Sequence, residues 1–242
     1  MDKTSLGDRM KLNYEKRHRH QLIRRMPVIV RVDGKAFHTF TRGMPIFYPL
    51  LMDAMAESAA KVSKHIQGFK VAYVQSDEVS FLITDYDSLQ TSAWFDYTQN
   101  KLESVIASMM TAYFNEYMRD PRLAVSLKPA FFDARAFNIP REEVTNYFVW
   151  RAKDWERNSV QMYAQDNFSP KQLHGKKQPD MHEMLHTVGK NWATDLGDRA
   201  KNGTFLTPAV DPHPAKHLCD ILPTWEAIDG LIHPMVYIDE VE

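Results

Sequence analysis

Apolar and β-branched residues form four runs of strand length along the chain. The first run stops on Asp33 and is followed by Gly34. A turn at 76–78 separates the second and third runs, and so short a connection predicts an antiparallel hairpin. The fourth run alternates between apolar and polar residues, like a half-buried strand, before Pro140. The predicted strands cover residues 28–33, 69–75, 79–84 and 131–139.

Between and after these strands, apolar residues recur at the spacing of amphipathic helices. Leu51, Met55 and Ala59 mark one such stripe. The segment after Arg141 is mainly helical in pattern, apart from a turn at 201–204 and a proline-rich, extended stretch at 207–223. The predicted helices span residues 5–25, 48–65, 92–118, 141–166, 169–174 and 180–188.

The order of these elements, β-α-β-β-α-β, predicts the split βαβ or ferredoxin-like arrangement. The fold class is therefore α+β, with an antiparallel sheet and helices on one face over residues 1–140. Residues 141–242 form a mainly helical C-terminal extension that we expect to pack on the first part as one unit. In this topology strands one and three are neighbours, which brings Asp33 close to Asp77 in the 76–78 turn.

The composition indicates an ordinary globular protein. Its 242 residues carry a formal net charge of −1, and no apolar run approaches the ~20 residues that span a bilayer. The N-terminus lacks the apolar core of a secretion signal, and the single cysteine, Cys219, fits a reducing compartment. We therefore expect a cytoplasmic location without membrane contact. A zinc site of Cys219, His213 and His217 is a weaker alternative, because structural zinc usually needs four ligands.

The acids at the strand ends are candidates for catalysis. A carboxylate there costs desolvation energy unless cations or hydrogen bonds compensate for it. Asp33 and Asp77 together, with Glu78 beside them, form a hard oxygen site of the kind Mg²⁺ prefers. Many enzymes of phosphoryl and nucleotidyl transfer hold a pair of metal ions in this way. The alternative is that these acids are caps or ordinary salt-bridge partners.

The residues after Asp33 suggest a phosphate site. Gly34 permits a sharp turn, and the amides of residues 35–38 would then point at an anion such as a triphosphate. Phe37 either stacks on a base or fills the core, whereas His38 favours stacking. Lys101, near the start of the 92–118 helix, either reaches phosphates or faces solvent.

Two basic segments are candidates for RNA contact. Residues 9–25 hold seven Lys and Arg, among them Arg17 and Arg19, against Glu15 alone. The predicted helix after Arg141 mixes aromatics, cations and amides between Trp150 and Ser159. Each segment is either a phosphate-contacting surface or a solvated helix face, with Trp150 packed in the second case.

Two segments of the chain are specific enough to compare with known families: Val30-Arg31-Val32-Asp33-Gly34-Lys35-Ala36-Phe37-His38-Thr39-Phe40 and Gln75-Ser76-Asp77-Glu78-Val79-Ser80-Phe81. Both resemble the signature sequences of the tRNA-histidine guanylyltransferase superfamily. Weaker matches follow at Phe132-Asp133-Ala134-Arg135, at Tyr147-Phe148-Val149-Trp150-Arg151 and at Asn202-Gly203-Thr204-Phe205-Leu206. In order and spacing the resemblance covers residues 5 to 206.

The resemblance implies a palm-type domain that extends RNA in the 3′-to-5′ direction. In that family a tRNA 5′-monophosphate is activated with ATP, and the 3′-hydroxyl of an incoming nucleotide then attacks the activated phosphate and releases AMP. Its members assemble as homotetramers, dimers of dimers. The implied substrates here are tRNA, ATP, GTP and other nucleoside triphosphates.

Residue roles carry over by position. Asp33, the carbonyl of Gly34 and Asp77 would hold two Mg²⁺ ions, and Glu78 joins the two aspartates as a catalytic acid. The nucleotide would contact Asp33, Gly34, Lys35, Ala36, Phe37, His38, Ser76, Asp77 and Lys101. From the two basic segments described above, we expect the tRNA to contact Arg17, Arg19, Arg151, Arg157 and Asn158.

One departure from the family pattern bears on the substrate. Eukaryotic members have a His-Ile-Asn-Asn run where this chain has Glu156-Arg157-Asn158-Ser159. That run is similar to the bacterial, archaeal and phage guanylyltransferase-like branch, which restores 5′-truncated tRNAs by templated addition. We therefore expect tRNA 5′-end repair. The alternatives are G addition at position −1 of histidine tRNA, a nucleotidyl cyclase, and a catalytically silent RNA-binding domain.

Overall fold

The centre of the molecule is an antiparallel sheet of five strands in the order β4-β1-β3-β2-β5. The computed structural model describes residues 4–119 and 128–208. The order of the first four strands confirms the ferredoxin-like arrangement and the central pairing of β1 with β3. The strands are β1 Val28–Gly34, β2 Phe69–Gln75, β3 Glu78–Ile83, β4 Phe132–Asn138 and β5 Thr204–Leu206.

Strand β5 was missed by the sequence pattern, which predicts only a turn at 201–204. The strand is three residues long, too short to show an alternation of apolar and polar positions. It adds to the free edge of β2, where Val74 pairs with Thr204 and Ala72 with Leu206. The last described part of the chain is thereby tied to the sheet.

The helices form a layer on either side of this sheet. The N-terminal helix α1 continues as a π-helical segment, Lys11–Glu15, and a 3-10 turn, Lys16–His18. The helices are α1 Leu6–Met10, α2 Phe37–Phe40, α3 Pro49–Ser63, α4 Gln99–Met118, α5 Arg141–Asn167, α6 Pro170–Leu173, α7 Gln178–Thr187, α8 Trp192–Asp195 and α9 Asp198–Asn202.

Two predicted helices have different bounds in the structure. The basic helix predicted for 5–25 ends at His18, because the chain beyond it pairs with other elements: Gln21 bridges to Thr98, and the Leu22 amide donates to the Tyr97 carbonyl. The helix predicted from residue 92 begins only at Gln99. The residues before it form a 3-10 turn, Trp94–Tyr97, in which three successive residues have φ near +50°.

The two faces of the sheet bury different residues of the same strands. Val28, Val30 and Val32 of β1 contribute to a core that helices α3 and α4 cover. Ile29, on the opposite face, joins a second core with Phe148 of the long helix α5. The period-two alternation of β1 thus supplies both cores, and α5 belongs to the layer opposite α3 and α4.

A few sequence-based expectations fall outside the described residues. These are the Cys219, His213 and His217 cluster and most of the proline-rich stretch at 207–223. Within residues 4–119 and 128–208, no helix is both long and apolar enough to cross a bilayer.

Candidate active site

Four acids, Asp33, Asp77, Glu78 and Asp133, lie at the end of the sheet where β1 stops. Asp33 pairs in register with Glu78 of β3 on one side and with Asp133 of β4 on the other. Asp77 lies in the β2–β3 turn, and its carbonyl accepts a hydrogen bond of 3.1 Å from the Gly34 amide. The expected proximity of Asp33 and Asp77 is therefore present, and it follows from the central pairing of β1 with β3.

The electrostatics of this acid pair suit a cation. The pKa of Asp77 is raised to about 6, mainly by burial and also by the nearby charge of Asp33, although hydrogen bonds from its own amide and from Ser76 lower it. The folded chain therefore holds an anionic charge that is incompletely compensated, and a bound cation would compensate it. Carboxylates and the Gly34 carbonyl are oxygen donors of the type Mg²⁺ takes.

The oxygen atoms at this site fit a metal ion that takes some of its ligands from water and substrate rather than from the protein. Among residues 4–119 and 128–208 no three His, Cys, Asp or Glu side chains cluster closely enough to form a metal site by themselves. Mg²⁺ usually binds one or two carboxylates and completes its shell with water and substrate phosphates. Asp33 and Asp77 match that mode rather than an all-protein cage.

The turn after β1 shapes the adjacent phosphate site. Gly34 has no space for a side chain, since a Cβ there would lie 2.2 Å from the Phe37 ring. Ala36 is left-handed, with φ 54° and ψ 39°, and reverses the chain into α2. The Lys35 amide is not available to an anion as expected, because it donates to the Phe131 carbonyl at 2.8 Å. The amides of residues 36–38 have no acceptor among the described residues, and they remain for a ligand.

The side chains of this turn divide between core and solvent. Phe37 is buried in an aromatic cluster, with ring centroids 5.0 Å from Phe40 and 5.2 Å from Phe132. It fills the core and cannot stack on a base. Lys35 and His38 are exposed, as is Ser76, whose φ of +48° starts the turn that presents Asp77.

Glu78 is placed differently from the two aspartates. Its carboxylate accepts two hydrogen bonds from the Arg151 guanidinium, at 2.7 and 2.9 Å, and a third from Gln75 at 3.2 Å. Arg151 is only 7% exposed and also pairs with Asp154 at 3.2 Å. The charges of Glu78 and Arg151 are therefore satisfied within the chain. Their predicted roles in catalysis and in tRNA binding stay predictions.

Other predicted contact residues lie apart from the acids. The position of Lys101 follows from that of Thr111 on the same helix, α4. Thr111 accepts a hydrogen bond from the Phe132 amide, and Phe132 pairs with Gly34, so Thr111 lies at the acid end of the sheet. Lys101 precedes Thr111 by ten residues, about 15 Å along the helix. It lies 5.5 Å from the Phe95 ring at the far end of the sheet. Arg17 and Arg19 are exposed near the same end, since the neighbouring His20 carbonyl accepts from the Gln99 amide.

Two open cavities adjoin the acids. One, of about 340 Å³, is lined by Asp33, Asp77 and Asn158, and the exposed Arg157 lies next to Asn158 and pairs with Asp154. The other, of about 640 Å³, lies over the turn after β1, with His38 and Ile46 in its wall.

A third cavity was not foreseen from the sequence. It measures about 250 Å³ and lies behind Ser76, with mainly apolar walls that include Phe47. Three buried polar atoms in its lining have no hydrogen-bond partner among the described residues: Gln75 Oε1, Trp155 Nε1 and Arg199 Nε. A mostly apolar pocket with a few convergent polar groups is the usual form of a small-molecule site. Its residues come from segments that are distant in the sequence, so no local motif predicts the cavity.

Comparison with known proteins identifies the family of the chain. A family model described as tRNA(His) guanylyltransferase matches residues 7–140. A bacterial tRNA(His) guanylyltransferase (Thg1)-like protein solved in complex with ATP is 40% identical, with a TM-score of 0.88 over 95% of this chain and 100% of that one. A structure of such a bacterial protein with GTP is 38% identical, with a TM-score of 0.81 over the same shares.

Curated relatives are more distant. The "probable tRNA(His) guanylyltransferase" of Homo sapiens is 27% identical over 203 residues, which cover 76% of this chain and 65% of the human protein. The chain thus spans just under two thirds of that relative, and 54% of the one from Dictyostelium discoideum. The family model covers more than half of the chain and the bacterial likeness nearly all of it. This protein belongs to the tRNA(His) guanylyltransferase family, whose members are nucleotidyltransferases.

Proposed function

We propose that the protein is a metal-dependent 3′-to-5′ nucleotidyltransferase that repairs tRNA 5′ ends by templated addition. The observation that carries the proposal is the position of Asp33 and Asp77 beside the free amides of residues 36–38. Cations and a triphosphate bound there would share one site. The ATP and GTP complexes of the bacterial relatives support the use of nucleoside triphosphates.

The reaction has two group transfers. In the first, an oxygen of the tRNA 5′-monophosphate attacks the α-phosphorus of ATP, and pyrophosphate leaves. In the second, the 3′-oxygen of the incoming nucleoside triphosphate attacks the tRNA 5′-phosphorus, loses its proton, and displaces AMP. The product carries one more nucleotide and a new 5′-triphosphate.

The chain's own residues bind and orient the reactants. Asp33, Asp77 and the Gly34 carbonyl would hold two Mg²⁺ ions, which activate an attacking oxygen and neutralise charge on a leaving phosphate. The amides of residues 36–38 would donate to the triphosphate. The nucleotide would enter over His38, through the larger open cavity above the turn after β1.

The cavity behind Ser76 supports a nucleobase subsite. Its apolar walls match the faces of a purine, and its three unpaired polar atoms offer two donors and one acceptor to the base edge. Filling the cavity with a base would remove the cost of leaving those atoms unpaired.

The proposal also includes the wider setting that the family likeness implies. The partners would be tRNA and nucleoside triphosphates, the assembly a homotetramer, and the location cytoplasmic. The two Mg²⁺ ions belong to the same set of proposals.

Addition of G at position −1 of histidine tRNA is the second candidate. The names of the curated relatives favour it. The Glu156-Arg157-Asn158-Ser159 run speaks against it, because the eukaryotic histidine is replaced by Glu156. Selection by a template base instead requires the protein to recognise only the shape of a base pair.

One experiment separates these candidates. A 5′-truncated tRNA is incubated with the protein, ATP, Mg²⁺ and GTP, once with C and once with A facing the new position, and the 5′ end is mapped. We expect G to be added opposite C and much less opposite A. Equal or better addition opposite A would support histidine-tRNA guanylylation instead, and no addition to either tRNA would support a silent RNA-binding domain.

A further inference from the structure

The strand register builds two rows of charged side chains on the α5-facing side of the sheet. Asp33 of β1 lies between Glu78 and Asp133, which makes the first row acidic. Two residues earlier, Arg31 lies between Ser80 and Arg135. Side chains two residues apart in a strand share a face and are separated by about 7 Å. A basic row therefore runs parallel to the acidic one.

The two arginines of the basic row lack a sufficient counter-charge. Arg31 and Arg135 are directly opposed across β1 and β4, and like charges in that position are destabilising. Arg31 forms no ion pair with any carboxylate of the described residues, and Arg135 approaches only Asp133 among them, at 3.6 Å on the surface. The nearby Arg151 differs, because Glu78 and Asp154 saturate it. An external anion between Arg31 and Arg135 would compensate both.

An exposed aromatic ring adjoins this pair. Trp150 of α5 is 52% exposed, and its ring centroid lies 6.0 Å from the Arg31 guanidinium and 4.5 Å from that of Arg151. Stacking of bases on aromatic rings beside cations that follow the backbone is the general mode of single-strand binding. The combination of a half-exposed indole and two arginines without a sufficient counter-charge matches a nucleotide with its phosphate.

We propose that Arg31, Arg135 and Trp150 bind the RNA strand next to its reacting 5′ end. The arginines bind a phosphodiester one nucleotide away from the phosphate at Asp33, and the indole stacks on the adjoining base. This rests on the proposed function, since it takes RNA as the substrate. The triphosphate of a nucleotide is also an anion of the kind that two arginines bind. However, the free amides of residues 36–38 lie after Asp33 in the chain, whereas Arg31 lies before it, so the two anions have separate positions.

The test measures binding without turnover. The variants are Arg31→Gln with Arg135→Gln, Trp150→Ala and Trp150→Phe. The control is Arg119→Gln, an exposed arginine that follows α4 in the opposite layer. Binding of a 5′-phosphorylated, 5′-truncated tRNA is followed by fluorescence anisotropy over a series of salt concentrations, and ATP binding by calorimetry.

We expect the double arginine variant to bind tRNA about tenfold more weakly. The slope of log affinity against log salt should fall by about 0.9, because the two arginines bind one phosphate and that phosphate is no longer neutralised. Trp150→Ala should weaken binding about tenfold, and Trp150→Phe should retain most of the affinity because it keeps an aromatic face. ATP binding should be unchanged in every variant, and Arg119→Gln should match the wild type in all assays.

Three outcomes would overturn the proposal. These are an unchanged tRNA affinity and salt slope in the double variant, a loss of ATP binding with tRNA binding intact, and a wild type that does not bind tRNA. If Trp150→Ala and Trp150→Phe weakened tRNA binding equally, a base would not stack on the Trp150 ring, although the phosphate contact of the arginines would stand. A wild type that binds tRNA through this surface but adds no nucleotide would instead refute the proposed function alone.

Discussion

At the scale of single residues, charge and burial compete around the acids. Asp77 is held beside Asp33 although burial, and also the charge of Asp33, disfavours the ionised form of Asp77. Ordinary packing gains nothing from such a pair. The cost is consistent with a site that is completed by cations and phosphates rather than by the protein alone.

Removal of either aspartate tests this site. Asp33→Ala or Asp77→Ala should lower the rates of both activation and nucleotide addition by about 10²-fold or more, since each removes charge that both steps need. Thermal stability should be unchanged or slightly higher, because a repulsion is relieved. Activation is measured as pyrophosphate release and addition by mapping the 5′ end. The exposed Asp87 offers a control, and wild-type rates in either site variant would exclude the two-metal assignment.

The ion pair of Glu78 and Arg151 makes a different residue-scale prediction. Arg151→Met leaves Glu78, whose side chain is 14% exposed, without its partner. Loss of one member of a fully buried pair costs about 3–5 kcal/mol, and we expect a destabilisation of up to that size. Adding Glu78→Gln should recover part of that loss, because the uncompensated charge is gone. Denaturant unfolding of the single and double variants measures both effects.

Arg157→Met provides the matched comparison for that cycle. Arg157 pairs with Asp154 on the surface, where an ion pair is worth about 0–1 kcal/mol. If Arg151→Met were no more destabilising than Arg157→Met, the pair of Glu78 and Arg151 would not stabilise the fold.

At the scale of elements, β5 depends on one glycine. Gly203 has φ 76° and ψ −161°, a conformation that only glycine adopts readily. A Cβ there would lie 2.7 Å from the Val74 carbonyl oxygen and 2.8 Å from Tyr73. The close approach lets Thr204 pair with Val74 and places Arg199, which precedes the glycine, in the wall of the cavity behind Ser76.

Gly203→Ala should therefore destabilise the protein by about 3 kcal/mol, from backbone strain of order 1–3 kcal/mol and the steric overlap together. Gly189→Ala is the control, since Gly189 also has a positive φ, +71°, but a Cβ at that position would meet no described atom within 4 Å. It should cost only about 1–2 kcal/mol. Equal unfolding free energies for the two variants would show that the β5 junction is not tightly packed.

At the scale of the whole molecule, the reacting end and the basic N-terminal segment are far apart. Arg17 and Arg19 lie toward the end of the sheet opposite Asp33, and α1 packs mainly on its own continuation among the described elements. A tRNA is long enough to reach both regions. This separation is consistent with two roles: the N-terminal segment contributes affinity for tRNA of any sequence, and the acids carry the chemistry.

Charge reversal at Arg17, Arg19 and Arg157 tests that division. Phosphate contacts position a nucleic acid without reading its sequence. The triple variant should bind tRNA more weakly, with a salt slope smaller by about 0.9 for each phosphate that is no longer neutralised, while the choice of added base and the affinity for ATP remain unchanged. An unaltered salt slope would identify the N-terminal segment as a solvated surface or a contact between subunits.

The local pattern of the sequence determined the four main strands and the long helices, because periodicity and short turns are properties of neighbouring residues. The order of these elements predicted the ferredoxin-like topology, and with it the β1–β3 pairing and the proximity of Asp33 and Asp77. Only the tertiary structure decided that Phe37 is core, that Glu78 is bound by Arg151, and that Lys101 lies remote from Asp33. It alone also decided the β5 pairing, the cavity behind Ser76 and the basic row of Arg31 and Arg135. These depend on contacts between residues distant in sequence, whose free energy no local pattern encodes.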